Sequence, residues 1–217
     1  MTEKAESPPR ARVQPGWLDR SSQSLLLSNL FTAVIALAGN WSVVDLMWVY
    51  WGQSVVIGFF NWKRMRLLQD FSTEGVRMNN RAVDPTPATR RRMAAFFAVH
   101  YGFFHLGYLV FLVSESDQVS RLDMAASAVC VLLFAANHRF SFRYNLEQDL
   151  ARKPNIGTIM FFPYARIIPM HITIVSGARF AGGSAGSLIL FMALKTAADW
   201  FMHVIEHRQH GGKSRPV

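Results

Sequence analysis

The chain has 217 residues, of which 51% are hydrophobic and only 17% are charged. Its apolar residues come in blocks, which is typical of membrane proteins and argues against a soluble domain. The net charge of +9 does not indicate nucleic-acid binding, because the basic residues lie between the apolar blocks, where lipid headgroups attract them. Its one cysteine, Cys130, excludes an internal disulfide and a cysteine-based zinc site.

The two ends of the chain are polar. Residues 1–23 carry three prolines and four basic residues, and they are predicted to form a disordered cytoplasmic tail, as are residues 209–217 at the other end. The first apolar block, residues 24–38, is predicted to be an uncleaved first span. A cleaved signal peptide is the alternative, because Ala36-Leu37-Ala38 resembles a signal-peptidase site after a basic segment.

Five further apolar blocks predict five further spans, so that residues 24–208 form one six-helix domain. Proline lacks a backbone donor and its ring clashes with the preceding turn. Pro163 and Pro169 therefore predict an interfacial piece that ends near Phe162, followed by the fifth span. The second to sixth spans are placed, in order, at residues 43–61, 93–113, 124–137, 163–178 and 183–208.

Lysine and arginine are distributed unevenly around these spans. Nineteen of the 23 lie in the N-terminal tail, in loops 63–92 and 138–154, and after His207, whereas two, Arg121 and Arg179, lie on the opposite side. The positive-inside rule then places both termini in the cytoplasm. The sequence predicts an all-α, six-span protein of a bacterial inner membrane, with basic loops that contact anionic headgroups.

The last span carries a polar stripe. Lys195, Asp199, His203 and His207 are spaced by four residues and therefore lie on one helix face. Ionisable groups inside a span are costly, so they usually face the bundle interior or a water-filled cavity. Counting about 1.5 Å of rise per residue places further ionisable groups from other spans in the same cytoplasmic half. Those groups are His100, His138, Arg166 and His171. The sequence therefore predicts a polar pocket open to the cytoplasm.

One motif in this stripe indicates metal chemistry. His203, Glu206 and His207 match H-x-x-E-H, in which two imidazoles on one helix face bind zinc beside a glutamate base. The predicted metal ligands are His100, His138, His171, His203 and His207. Glu206 and Asp199 are the predicted catalytic bases for a metal-activated water. The predicted substrate-binding residues are Arg166, Gln53 and Lys195, of which Arg166 suits a phosphate or carboxylate headgroup.

Simpler interpretations accompany these predictions. Glu206 and His207 also fit an interfacial helix end, where a histidine is favourable. Lys195 and Asp199 also fit an ion pair that neutralises itself. Haem held between opposed histidines is a less favoured cofactor than zinc, because the histidines lack two clear pairs at matched depth. His105 is predicted to be a hydrogen-bonded packing residue.

Several of these positions also carry a family resemblance. They are Tyr50, Trp51, Gln53, Gly58, Asn61, His100, Tyr101, Phe104, His138, Ser141, Phe142, Pro163, Arg166, His171, Lys195, Asp199, His203, Glu206 and His207. Over residues 24–208 the chain resembles an uncharacterised family of prokaryotic integral membrane proteins, a domain of unknown function. The resemblance implies a six-helix membrane domain and no particular activity. Where that family usually has an acidic residue, this chain has Gln53, so the charge of any shared site differs here.

Three functions are compatible with the pattern. The first is a membrane-embedded metal-binding protein that hydrolyses a lipid-like substrate. The second is a small proton- or ion-coupled transporter, in which the polar residues relay protons or bind an ion. The third is a non-catalytic membrane subunit or assembly factor, whose buried polar residues bond helices together.

Overall fold

A computed structural model describes residues 20–115 and 121–175, together with six helical positions between residues 189 and 197. The described part is mostly helical, as predicted for an all-α protein. Its helices are α1 (Arg20–Ala38), α2 (Val43–Leu67), α3 (Pro87–Ser114), α4 (Arg121–Leu150) and α5 (Ile156–Val175). A short antiparallel hairpin, β1 (Arg77–Met78) and β2 (Arg81–Ala82), lies between α2 and α3.

Helix α2 is the centre of the described bundle, because it packs against α3, α4 and α5. Half of the side chains in its apolar stretch are buried, against 28% in α3 and 22% in α4. The helix begins with a capping box, in which the Ser42 hydroxyl accepts from the Asp45 backbone N–H and the Asp45 carboxylate accepts from the Ser42 backbone. Two donors at the helix start that have no partner within the helix are thereby satisfied.

Helix α3 separates an outward apolar face from a buried face that includes polar groups. Thr86 caps its first turn and Pro87 occupies the start, where a missing N–H costs nothing. Its exposed large apolar residues recur every three or four positions: Phe96, Val99, Phe103, Leu106, Val110 and Val113. Its buried face includes Phe97, Tyr101, His105, Tyr108 and Leu112. An apolar face turned outward is what lipid requires of a helix and what water disfavours.

Three described helices are long and apolar enough to cross a membrane: Val43–Leu67, Pro87–Ser114 and Met124–Arg143. They coincide with the second, third and fourth predicted spans. The predicted first span lies within α1, and the chain turns into α2 through Asn40, which has a left-handed conformation. The chain therefore has the helices of a membrane protein.

Two predicted boundaries are wrong. Helix α4 continues to Leu150, so Arg139 and Arg143 lie on a helix rather than in a loop. Helix α5 is continuous from Ile156 to Val175, so the predicted break near Phe162 does not occur.

Asn61 explains why Pro163 does not interrupt α5. A proline inside a helix has no N–H, so the carbonyl four residues earlier loses its usual donor. For Pro163 that carbonyl belongs to Ile159. The Asn61 Nδ2 of α2 donates to that carbonyl at 3.1 Å. The side chain of a neighbouring helix thus replaces the missing backbone bond, as happens at prolines within membrane helices.

The segment between α2 and α3 folds back onto the start of α5. Ser72 pairs with Asn155 as a short parallel bridge, and Asn155 Nδ2 donates to the Glu74 carbonyl at 2.8 Å. The hairpin turns through Asn79 and Asn80, both in the left-handed region, as two-residue hairpin loops require. This segment therefore ties the ends of α2, α3 and α5 together.

A buried ion pair joins α2 to α4 near the same end of the bundle. Arg64 Nε donates to Asp149 Oδ2, and Arg64 Nη2 donates to Asp149 Oδ1 at 2.9 Å. The side chains are 10% and 2% exposed. Such a bidentate pair fixes the register of two helices, because two parallel hydrogen bonds hold the side chains in one geometry.

We expect Asp149→Ala to lower the free energy of unfolding by about 3 kcal/mol, because the buried Arg64 keeps its charge and loses the Asp149 carboxylate. Asp70→Ala is the control, since Asp70 pairs with Lys153 at 3.5 Å while 72% exposed. Thermal unfolding of the detergent-purified protein measures both. Equal midpoints for Asp149→Ala and Asp70→Ala would contradict the assignment of Arg64–Asp149 as a structural tie.

A candidate site between α2, α3 and α5

Six histidine and tyrosine rings form a contiguous row along α3 and α5. Neighbouring ring centroids are 4.2 to 6.3 Å apart. In order, the members are His100, Tyr164, Tyr101, His105, Tyr108 and His171, and we call them the His–Tyr row. Each histidine ring carries a nitrogen that can take up a proton, and each tyrosine hydroxyl can both donate and accept a hydrogen bond. The row therefore places proton-exchanging groups side by side within the apolar helices.

Two histidine–tyrosine hydrogen bonds join α3 to α5, one at each end of the row. His100 Nδ1 lies 2.9 Å from the Tyr164 hydroxyl, and the Tyr108 hydroxyl lies 3.1 Å from His171 Nδ1. The α3 partner is a histidine in one bond and a tyrosine in the other. From the first bond to the second, the residue numbers rise on both helices, so α3 and α5 run in parallel. His100 and His171 are exposed at the two ends of the row.

Helix α2 holds the middle of the row. The Tyr101 hydroxyl donates to the Ser54 carbonyl at 3.0 Å and lies 2.8 Å from the Ser54 hydroxyl. Trp51 Nε1 donates to the His105 carbonyl at 2.9 Å. These bonds join α2 to α3 through side chains that neither helix can satisfy alone.

A glycine on α2 makes room for this contact. A Cβ at Gly58 would lie 2.3 Å from Cε1 of Tyr101, closer than real Cβ contacts. The Tyr101 ring therefore occupies the space that any other residue at position 58 would fill. Phe97 stacks on the same ring at 4.9 Å, so the ring is held from two directions.

One ring nitrogen of His105 is hydrogen-bonded, and the other, which we call open, has no hydrogen-bond partner among the described residues. Its Nδ1 lies 2.9 Å from the Tyr101 carbonyl oxygen, and a carbonyl can only accept, so Nδ1 carries the proton. In the neutral ring, Nε2 then carries the lone pair. Nε2 is buried and has no hydrogen-bond partner among the described residues. The residue is 5% exposed.

The predicted site residues that the structure describes fall into separate places. His100 and His171 lie in the row, at its two ends. His138 lies on α4 between the rings of Phe134, at 5.6 Å, and Phe60, at 5.5 Å. Across the described ranges, no group of three or more His, Cys, Asp or Glu side chains could hold a metal ion. His100, His138 and His171 therefore do not form a metal site by themselves.

The remaining predictions have different outcomes. Gln53 is buried on α2, 2% exposed, and its role in substrate binding stays a prediction. The backbone of Arg166 belongs to α5, and its side chain lies outside the described part. The following predicted residues also lie outside the described residues: Lys195, Asp199, His203, Glu206 and His207. Their roles in metal binding, catalysis and substrate binding stay predictions, as do zinc and haem.

The tyrosines and Ser54 are the functional candidates that the sequence interpretation did not select. Tyr101, His105 and Tyr108 are spaced by four and three residues on one span, and this spacing puts them on one helix face. That pattern was available in the sequence. The α5 partners were not, because the sequence does not show which span packs against this face of α3.

The chain belongs to a family of unknown function, DUF6498, whose family model matches residues 14–216. This agrees with the resemblance to a domain of unknown function. Neither the curated proteins nor the solved structures contain a match to the chain.

Gly58→Ala tests the packing around Tyr101. We expect it to lower the free energy of unfolding by about 1 to 3 kcal/mol, because the new methyl group displaces a confined ring. Gly102→Ala is the matched control on α3, where a Cβ would meet no atom within 4 Å among the described residues. Denaturation in detergent compares the two; a Gly58→Ala protein as stable as the Gly102→Ala protein would show that the ring is not confined.

Proposed function

We propose that this chain is a small proton transporter of the membrane, with the His–Tyr row as its proton-bearing element. The observation that carries the proposal is the continuity of the row. His100 and Tyr108 are eight residues apart on α3, which corresponds to about 12 Å of rise. That is roughly two fifths of a hydrocarbon layer of about 30 Å. Ionisable groups at such depth cost free energy, so their presence there indicates a function.

The burial pattern supports the same proposal. The end members, His100 and His171, are exposed, whereas Tyr101, His105 and Tyr108 are buried. Exposed ends can exchange protons with their surroundings, and a buried middle limits uncontrolled leakage. Ser54 and Trp51 hold that middle with neutral side chains. A purely helix-bonding role would explain the hydrogen bonds without requiring rings that can be protonated.

The proposal includes six spans with both termini in the cytoplasm of a bacterial cell. Its support is the distribution of Lys and Arg, 19 on one side against two on the other. The extension of α4 leaves this balance unchanged, because Arg139 and Arg143 lie toward the same end of α4 as Asp149. The exposed basic residues at that end are suited to anionic headgroups.

Purified protein in vesicles of phosphatidylethanolamine and phosphatidylglycerol tests proton movement. With a potassium gradient, valinomycin and a trapped pH-sensitive dye, we expect wild-type vesicles to acidify faster than protein-free vesicles. Tyr101→Phe keeps the ring but removes the hydroxyl that joins the row to Ser54. We expect it to slow proton flux by about tenfold, the equivalent of about 1.4 kcal/mol.

Tyr50→Phe is the matched control, because Tyr50 is a buried tyrosine of α2 that lies outside the six-ring row. We expect its flux to equal that of the wild type. Wild-type vesicles that acidify no faster than empty ones would refute the transporter. Equal flux in Tyr101→Phe and the wild type would remove the row from the transport path.

Single cysteines test the orientation. In a Cys130→Ala background, Asn80→Cys places a thiol on the hairpin, and Glu115→Cys places one after α3, at the opposite end of the spans. An impermeant maleimide should label position 115 in intact cells and position 80 only after permeabilisation. The reverse pattern would contradict the proposed orientation.

A further inference from the structure

The open Nε2 of His105 differs from every other polar atom of the row. The end histidines each bond a tyrosine through Nδ1, and the Tyr101 hydroxyl bonds Ser54. Only His105 combines a nitrogen fixed by a backbone carbonyl with a buried nitrogen that lacks a partner among the described residues. A buried acceptor without a donor is unfavourable, so native structures rarely keep one without a role.

We propose that His105 is the residue of the row that takes up the transported proton, and that it does so at Nε2. This inference rests on the proposed transport function. The Tyr101 carbonyl keeps Nδ1 protonated in both states. Uptake at Nε2 forms an imidazolium with one proton on each nitrogen, and release from Nε2 restores the original neutral tautomer. One proton crosses per cycle, and the side chain is unchanged.

Burial disfavours a charge on His105, and the aromatic groups around it offset part of that cost. On α3, the Tyr101 ring stacks on the imidazole at 4.2 Å, and Tyr108 meets it edge-on at 5.9 Å. An aromatic face stabilises a cation above it. Helix α2 presents the neutral Trp51, and α5 contributes Tyr164 and His171 at neighbouring places in the row. None of these described neighbours is a fixed cation that would oppose proton uptake.

The fixed Nδ1 has a mechanistic consequence. In a proton wire, an imidazole accepts a proton at one nitrogen and releases the other proton from the second nitrogen. Here the second nitrogen is bound to the backbone, so loading and unloading both use Nε2. Access to Nε2 must then alternate between the two sides of the membrane. The geometry is that of a carrier with a loaded and an empty state, and its flux should saturate as the proton gradient rises.

The test uses His105→Asn. An asparagine amide nitrogen lies where Nδ1 was, so it can keep the bond to the Tyr101 carbonyl, but the amide takes up no proton. In the vesicle assay we expect proton flux to fall to the level of protein-free vesicles. His210→Asn makes the same change in the predicted C-terminal tail, and we expect full flux. If the His105→Asn protein keeps the wild-type flux, the His105 assignment is wrong, and the proposal of a proton transporter is unaffected.

A second measurement does not depend on transport. Nitrogen-15 spectra of histidine-labelled protein, with the His105 signals identified by their absence from His105→Asn, report which nitrogen carries the proton. We expect Nδ1 to stay protonated across the titration while only Nε2 changes. A neutral His105 protonated at Nε2 would overturn the inference even if the vesicles transport protons. Absence of wild-type flux would refute the transporter, and the spectra would still decide the state of His105.

Discussion

Lipid offers no hydrogen bonds, so each polar group in the apolar part of the bundle has to find its partner on another helix or in its own backbone. Helix α2 supplies most of these partners. Asn61 bonds α5, Ser54 and Trp51 bond α3, and Arg64 binds Asp149 of α4. The order of the bundle follows from this constraint. Because α2 contacts three neighbouring helices, it can satisfy polar groups of all three. The outward faces of those neighbours can then be apolar toward lipid.

The same constraint separates structural polar residues from candidate functional ones. Asn61 and the Arg64–Asp149 pair have structural hydrogen bonds. Asn61 bonds the carbonyl that Pro163 leaves free, and the ion pair fixes the register of α2 and α4. His105 is different, because its backbone bond satisfies one nitrogen and leaves the other open. Among the described histidines, His105 alone has a buried ring nitrogen with no hydrogen-bond partner in the described part of the chain.

Much of the architecture could be predicted from the sequence, because long apolar blocks leave few alternatives to helices. The boundaries were less predictable. Pro163 predicts a break unless a side chain replaces the lost bond, and the position of Asn61 across the bundle is not visible in the sequence. For the site, ionisable residues drew attention to His100 and His171, but the rings that connect them are tyrosines. Tyrosine in a span is also typical of packing or of the interface, so only the three-dimensional contacts distinguish the row.

If the His–Tyr row carries protons, charge crosses the membrane through this protein when a proton gradient is imposed. Current recorded from wild-type vesicles adsorbed on a solid-supported membrane measures that charge directly. A step of pH on one side should give a transient current, and a step of opposite sign should reverse it, in the absence of any other ion gradient. A response that equals that of protein-free membranes for both signs would contradict the account and leave the His–Tyr row as a set of helix-joining contacts.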